Sequence, residues 1–179
     1  MFTKYPKITA VLLTYPLAYF LFLGVGYDTV HAFLEPIGIG GIFIAGSLYT
    51  YGFTASSALF IIPSFLPDYS PLFIALVGGL GATAADLTIF KLLKGNLGDE
   101  IDAFRKIPIV RRTLNSRALR PALVRDLLGF LIIMSPFPDE IGVAFLTLAR
   151  ANDATFRIIS LTANILGIYL LASAATLLY

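Results

Sequence analysis

The sequence predicts an all-α integral membrane protein with two inverted repeats, each a re-entrant helical hairpin followed by a transmembrane helix, preceded by one N-terminal transmembrane helix. Three observations lead there. The first is composition: of 179 residues, 58% are hydrophobic and 13% charged, against about 45–50% and 25% in soluble domains. A soluble fold of this length would lack the polar surface to cover its core. The second is where the basic residues fall. The third is that two apolar segments are interrupted by residues a membrane helix disfavours.

Hydropathy divides the chain into apolar segments at 8–26, 37–62, 71–93, 127–149 and 156–178, within one membrane domain covering 1–179. A polar stretch, 95–125, separates the third segment from the fourth, and nine lysines and arginines lie from Lys91 to Arg125 against Asp99, Glu100 and Asp102. The positive-inside rule makes that loop cytoplasmic, together with the N-terminus carrying Lys4 and Lys7 and the turn bearing Arg150 and Arg157. If every segment crossed, three crossings would separate the N-terminus from the basic loop and put the loop outside. The contradiction vanishes when the second and fourth segments enter the membrane and return on the same face, one from each side.

The segment 8–26 follows two lysines and ends in "GVG", a pattern with some likeness to a signal peptide. About 19 residues at 1.5 Å each match a hydrocarbon core of about 30 Å, so an uncleaved first helix is expected. In the second segment "GSLYTYGFTASSA", residues 46–58, breaks two apolar arms with glycine, tyrosine and small hydroxyl residues. The third contains "GGLGATAADLTIFKLLKG", whose Gly78, Gly79, Gly81 and Ala82 let another helix approach closely. In the basic loop an interfacial helix is expected around 101–119; its basic residues either bind anionic head groups, at about 1 kcal/mol each, or only set orientation. The fourth segment has arms 127–134 and 141–149, about 12 and 13 Å of helix and each near half the hydrocarbon thickness. They are joined by "SPFPDE", in which Pro136 and Pro138 end a helix and bias their predecessors to extended geometry. The segment 156–178 closes the second repeat.

Broken helices meeting near the midplane in two inverted halves point to a transport site. Asp139 and Glu140 are the sharpest candidates, because a charged residue at a helix centre costs about 2.5–3.5 kcal/mol on insertion scales. They read as a substrate or proton site, or as acids capping a helix that starts near Ile141. Asp86, among the small residues of the third segment, either belongs to that site or forms a structural ion pair with Lys91 or Arg125. Arg125, Arg150 and Arg157 either snorkel at the interface or bind a head-group phosphate bidentately. At the hairpin tips stand Ser135, Pro136 and Pro138 on one side and Thr54, Ser56 and Ser57 on the other. These hydroxyls and Asn164 either donate to a ligand or satisfy broken backbone, and Tyr49 and Tyr51 line the crevice or pack. The chain has no cysteine and a single histidine, His31, so no zinc or thiolate site is expected. No nucleophile, base and acid come together, so neither catalysis nor a cofactor, metal or nucleic-acid partner is expected. Membrane lipids are the expected partners, and a homo-oligomer is compatible with the chain.

A hairpin, the glycine-rich helix "GGLGATAADLTIFKLLKG", a basic stretch, a second hairpin with a Pro-containing tip and a closing helix together resemble the DedA family, whose eukaryotic relatives carry the VTT or SNARE-associated domain. In that family the glycine-rich helix commonly has a Gly-Asp pair, an aromatic residue and a further glycine. Ala85, Asp86, Phe90 and Gly95 stand in comparable places, and the likeness covers most of 35–178. The chain departs from the family at the first tip, "YTYGFTASSA", which has no charge, and at the second, where an acidic pair stands in place of arginines. The resemblance implies a transporter or scramblase of an anionic lipid such as a polyprenyl phosphate, dependent on protons, in a prokaryotic cell (inner) membrane. A proton-coupled exporter of small cations or drugs and a non-transporting scaffold are the alternatives.

Overall fold

The structure is a computed structural model and describes residues 35–52, 54–95, 106–117, 121–135 and 139–177, with the single positions 29, 32, 33 and 119. The expected first helix, 8–26, lies outside the described residues, as do Pro136 and Pro138. Among the described residues every regular element is a helix.

A 3-10 turn, Glu35–Ile37, leads through Gly38 into α1, Ile39–Thr50. Gly38 has φ 57°, the left-handed region that a Cβ disfavours. After a turn at Tyr51, α2 covers Ala55–Ile61 and continues as the 3-10 turn Ile62–Phe65. The long helix α3, Pro71–Gly95, starts on a proline, whose missing N–H is no loss at a first position. In the basic stretch, where a helix is expected around 101–119, α4 covers Pro108–Leu114 with a proline in its first turn and ends in the Asn115–Ser116 turn, while 101–105 and 118 lie outside the described residues. Then come α5, Ala122–Met134, and α6, Asp139–Leu148. The last helix, α7, Asp153–Ala175, is capped by the Asn152 side chain, which accepts the Thr155 N–H at 2.8 Å.

Two of these helices, α3 and α7, are long and apolar enough to cross a membrane. Their 25 and 23 residues extend about 37 and 34 Å, beyond a hydrocarbon core of about 30 Å, whereas α1, α5 and α6 reach only about 15–20 Å each. Leu72, Leu76 and Leu80 on α3 and Ile158, Leu166 and Leu170 on α7 face outward, as lipid-facing side chains do.

The helices α3 and α7 run antiparallel. Phe90 stacks on Phe156 with ring centroids 3.8 Å apart, and Lys94 pairs with Asp153 at 2.7 Å. Halfway along, Gly79 lies against the Ile165 backbone. The pair α1–α2 packs on the Pro71 end of α3, where a Cβ on Gly46 would overlap the Gly78 carbonyl and one on Gly81 the Phe43 carbonyl. Ser47 and Thr50 donate hydrogen bonds to the Gly81 and Ala82 carbonyls, both at 3.1 Å. The pair α5–α6 packs on the other end, α5 against α7 and α6 against α3. Arg125 Nη1 there donates to the Ala149 carbonyl at 3.3 Å, tying the start of α5 to the end of α6. The two helix pairs therefore open at opposite ends of α3 and α7, and their turns point towards each other.

Two apolar clusters result. One joins Ile42, Ile61, Phe65 and Ile74 to Ile168; the other joins Phe90, Phe156, Ile133, Val143 and Leu146. Between them the buried side chains are polar: Thr50, Asp86, Asp139, Ser160 and Asn164.

The end of α6 gives Arg150 a backbone role besides the side-chain roles read in sequence. Its N–H donates to Thr147 and that of Ala151 to Leu146, both at 3.0 Å, the paired bonds of a Schellman turn. Arg150 occupies the left-handed position with φ 60°, where glycine is usual. Arg150→Gly is expected to raise stability by about 1 kcal/mol, the ordinary cost of a side chain in that region. Thermal unfolding in detergent measures it; an unchanged or lower midpoint would mean that contacts of the arginine outweigh the strain.

Candidate functional site

The polar layer is built from both turns and both long helices. At the first turn the N–H groups of Thr54 and Ala55 both donate to the Tyr51 carbonyl, at 2.8 and 2.7 Å, and Thr54 Oγ1 donates to Leu48 at 2.6 Å. These bonds close the turn on itself and leave the Gly52 N–H directed outward. It donates to Oε1 of Glu140 at 2.8 Å, joining the turn of one helix pair to the first turn of α6 in the other.

Asp86 contributes from α3. Its Oδ2 accepts Ser160 Oγ at 2.7 Å and Asn164 Nδ2 at 2.8 Å, and Asn164 Nδ2 also lies 3.3 Å from Ser160 Oγ. Ser160 and Asn164 are four residues apart, hence on one face of α7. Counted along the helix axis, Asp86 lies about 22 Å from one end of α3 and about 14 Å from the other, deep in any bilayer the helix crosses.

Asp139 has no exposed surface, and both its carboxyl oxygens lack a hydrogen-bond donor among the described residues. The same holds for Asp86 Oδ1, Glu140 Oε2 and Asn164 Oδ1, so the layer contains five buried acceptor atoms without donors. Asp139 is close enough to Asp86 and to Glu140 to feel the charge of each, and Glu140 acts likewise on Asp86. Among the described residues no lysine or arginine acts on Asp86 or Asp139. In place of the ion pair weighed with Lys91 or Arg125, Asp86 has hydroxyl and amide donors from α7, which packs against this face of α3. No three acidic or histidine side chains among the described residues lie close enough together to hold one metal ion.

Asp139 and Glu140 both fall in the first turn of α6, where the helix dipole favours carboxylates. A capping position is thus compatible with a site role, and Glu140 directs its bonded oxygen away from its own helix, to Gly52. Ser135 ends α5 by donating to the Ile132 carbonyl at 2.6 Å. Thr54 is spent on the first turn, Ser57 is half-buried on α2, and Ser56 lies in the first turn of that helix. Arg125 is half-buried at the open end of α5–α6 with a buried Nε that meets no acceptor among the described residues. Arg157 is exposed and, like Lys91 and Lys94, acts on Asp153.

Two participants were not singled out from the sequence. Ser160 had a signal, the four-residue spacing to Asn164 in "SLTAN". Gly52 had none, since its contribution is a main-chain N–H. Compared with protein-family models, with curated proteins and with solved structures, the chain matches none.

Proposed function

We propose that the protein is a membrane transporter in which α1–α2 and α5–α6 are re-entrant hairpins of two inverted repeats, meeting near the bilayer midplane between the spanning helices α3 and α7. The basic stretch and the adjoining ends of α3 and α7 face the cytoplasm, as the positive-inside rule requires. Asp86, Asp139 and Glu140 carry the proton or cationic group that is moved. The observation supporting this reading is the set of buried acceptor oxygens on Asp86, Asp139 and Glu140 that meet no donor among the described residues. Such groups are retained in a membrane interior only where something charged or polar visits them. Buried carboxyl groups of this kind suit protons and an organic ammonium group. Transport follows when the site is loaded alternately by protons and by cargo.

In proteoliposomes with an imposed pH gradient, wild-type protein should drive efflux of a small organic cation such as ethidium. The double variant Asp139→Asn with Glu140→Gln should fall to the level of empty vesicles. Equal flux through both proteins would sink the assigned site.

The second reading is translocation of an anionic, phosphate-bearing lipid such as a polyprenyl phosphate, with the same acids carrying protons. Arg125 favours it, because its buried Nε lacks an acceptor among the described residues and a phosphate oxygen would supply one. Movement of labelled lipid without cation flux, lost in Arg125→Gln, would decide for it.

A further inference from the structure

We propose that 106–116 is a docking surface for the head-group layer of an anionic bilayer, gripping lipid phosphates through Lys106, Arg111 and Arg112. The starting point is that α4 has seven residues and buries none of them. A helix this short is not stable in water on its own propensity, so another surface has to hold it. The side chains state which kind. Lys106, Arg111, Arg112, Asn115 and Ser116 surround an open cleft of about 570 Å³ to which no acidic residue contributes among the described residues. Beside them Ile109 is 73% exposed and Ile107 38%. Basic groups with exposed isoleucines on one short helix match a lipid interface, where aliphatic side chains enter the acyl boundary and guanidinium groups take phosphate oxygens in pairs. A soluble acidic partner would satisfy the arginines and leave Ile109 in water.

The proposal rests on the reading that α3 crosses the membrane, which brings the stretch beyond Gly95 to a bilayer face. It does not depend on what the protein carries.

The absence of cysteine from the chain permits a clean test on the full-length protein in nanodiscs. Ile109→Cys and, separately, Leu80→Cys carry a polarity-sensitive fluorophore, and quenching by aqueous acrylamide is compared in anionic and zwitterionic discs. The Leu80 probe should be shielded in both. The Ile109 probe should be shielded in anionic discs alone, and each of Lys106→Gln, Arg111→Gln and Arg112→Gln should weaken that association about fivefold. Equal quenching at Ile109 in both discs, with Leu80 shielded, overturns the docking surface and leaves the spanning helix intact. A water-exposed Leu80 probe overturns both. Shielding of Ile109 by inorganic phosphate in zwitterionic discs would make the ligand a soluble anion and overturn the lipid assignment.

Discussion

Asp139→Asn is expected to yield a protein that is at once more stable and inactive. Three effects compete at this side chain. The helix dipole of α6 favours a carboxylate in its first turn by about 0.3–1 kcal/mol. Against it stand desolvation of an ionisable group, several kcal/mol even after relaxation, and the like charges of Asp86 and Glu140. Neither carboxyl oxygen recovers a hydrogen bond among the described residues. The unfavourable effects win, and the amide, which remains unsatisfied but cannot ionise, should gain about 1–3 kcal/mol. The midpoint of thermal unfolding in detergent reads the first half of this expectation and cation efflux from proteoliposomes the second. A destabilised, inactive variant would mean that Asp139 is a structural residue whose loss disturbs α6.

Gly46→Ala and Gly81→Ala should each destabilise the protein by about 3 kcal/mol, at the upper end of overpacking costs. The added methyl would meet main chain in both: the Gly78 carbonyl for the first and the Phe43 carbonyl for the second. A backbone carbonyl cannot swing aside as a side chain does, so α1 must move off α3, carrying the first turn and its N–H away from Glu140. Flux should therefore fall together with stability. Gly95→Ala is the control: nothing among the described residues lies within 4 Å of a Cβ there, so alanine's better helix propensity leaves it neutral or slightly stabilising. Comparable losses at all three positions would show that glycine matters here through backbone freedom rather than through close approach.

Much of the architecture can be read from the sequence because each inference rests on a strong local quantity. The two long helices follow from uninterrupted hydropathy, and the glycines at 78, 79 and 81 do lie where other helices come closest. The breaks near 46–58 and at "SPFPDE" separate shorter helices, as their glycine, hydroxyl and proline content requires. That Asp86, Asp139 and Glu140 share one layer follows less directly: residue type marks each as costly, but their meeting depends on how two helix pairs seat on α3 and α7. Arg150 shows the limit from another side. Its charge suggested an interface role, while its backbone closes a Schellman turn that is ordinarily a glycine's, and no pattern of neighbouring residues announces an arginine there. The basic stretch lay between these cases, since charge density located it and Pro108 stands in the first turn of its helix α4.

The hydrogen bond from the Gly52 N–H to Glu140 has a consequence for how this site would emerge from mutagenesis. One partner is a side chain and the other is main chain, which every non-proline residue supplies. Alanine scanning of the first turn would pass over position 52 while registering position 140, and the site would look as though one hairpin made it. Variation in a population of sequences would be filtered the same way: the acid constrained by its chemistry, its donor constrained only against proline and against whatever spoils the turn. The two halves of the molecule would then record a shared task in unequal measure, one in residue identity and the other in backbone shape.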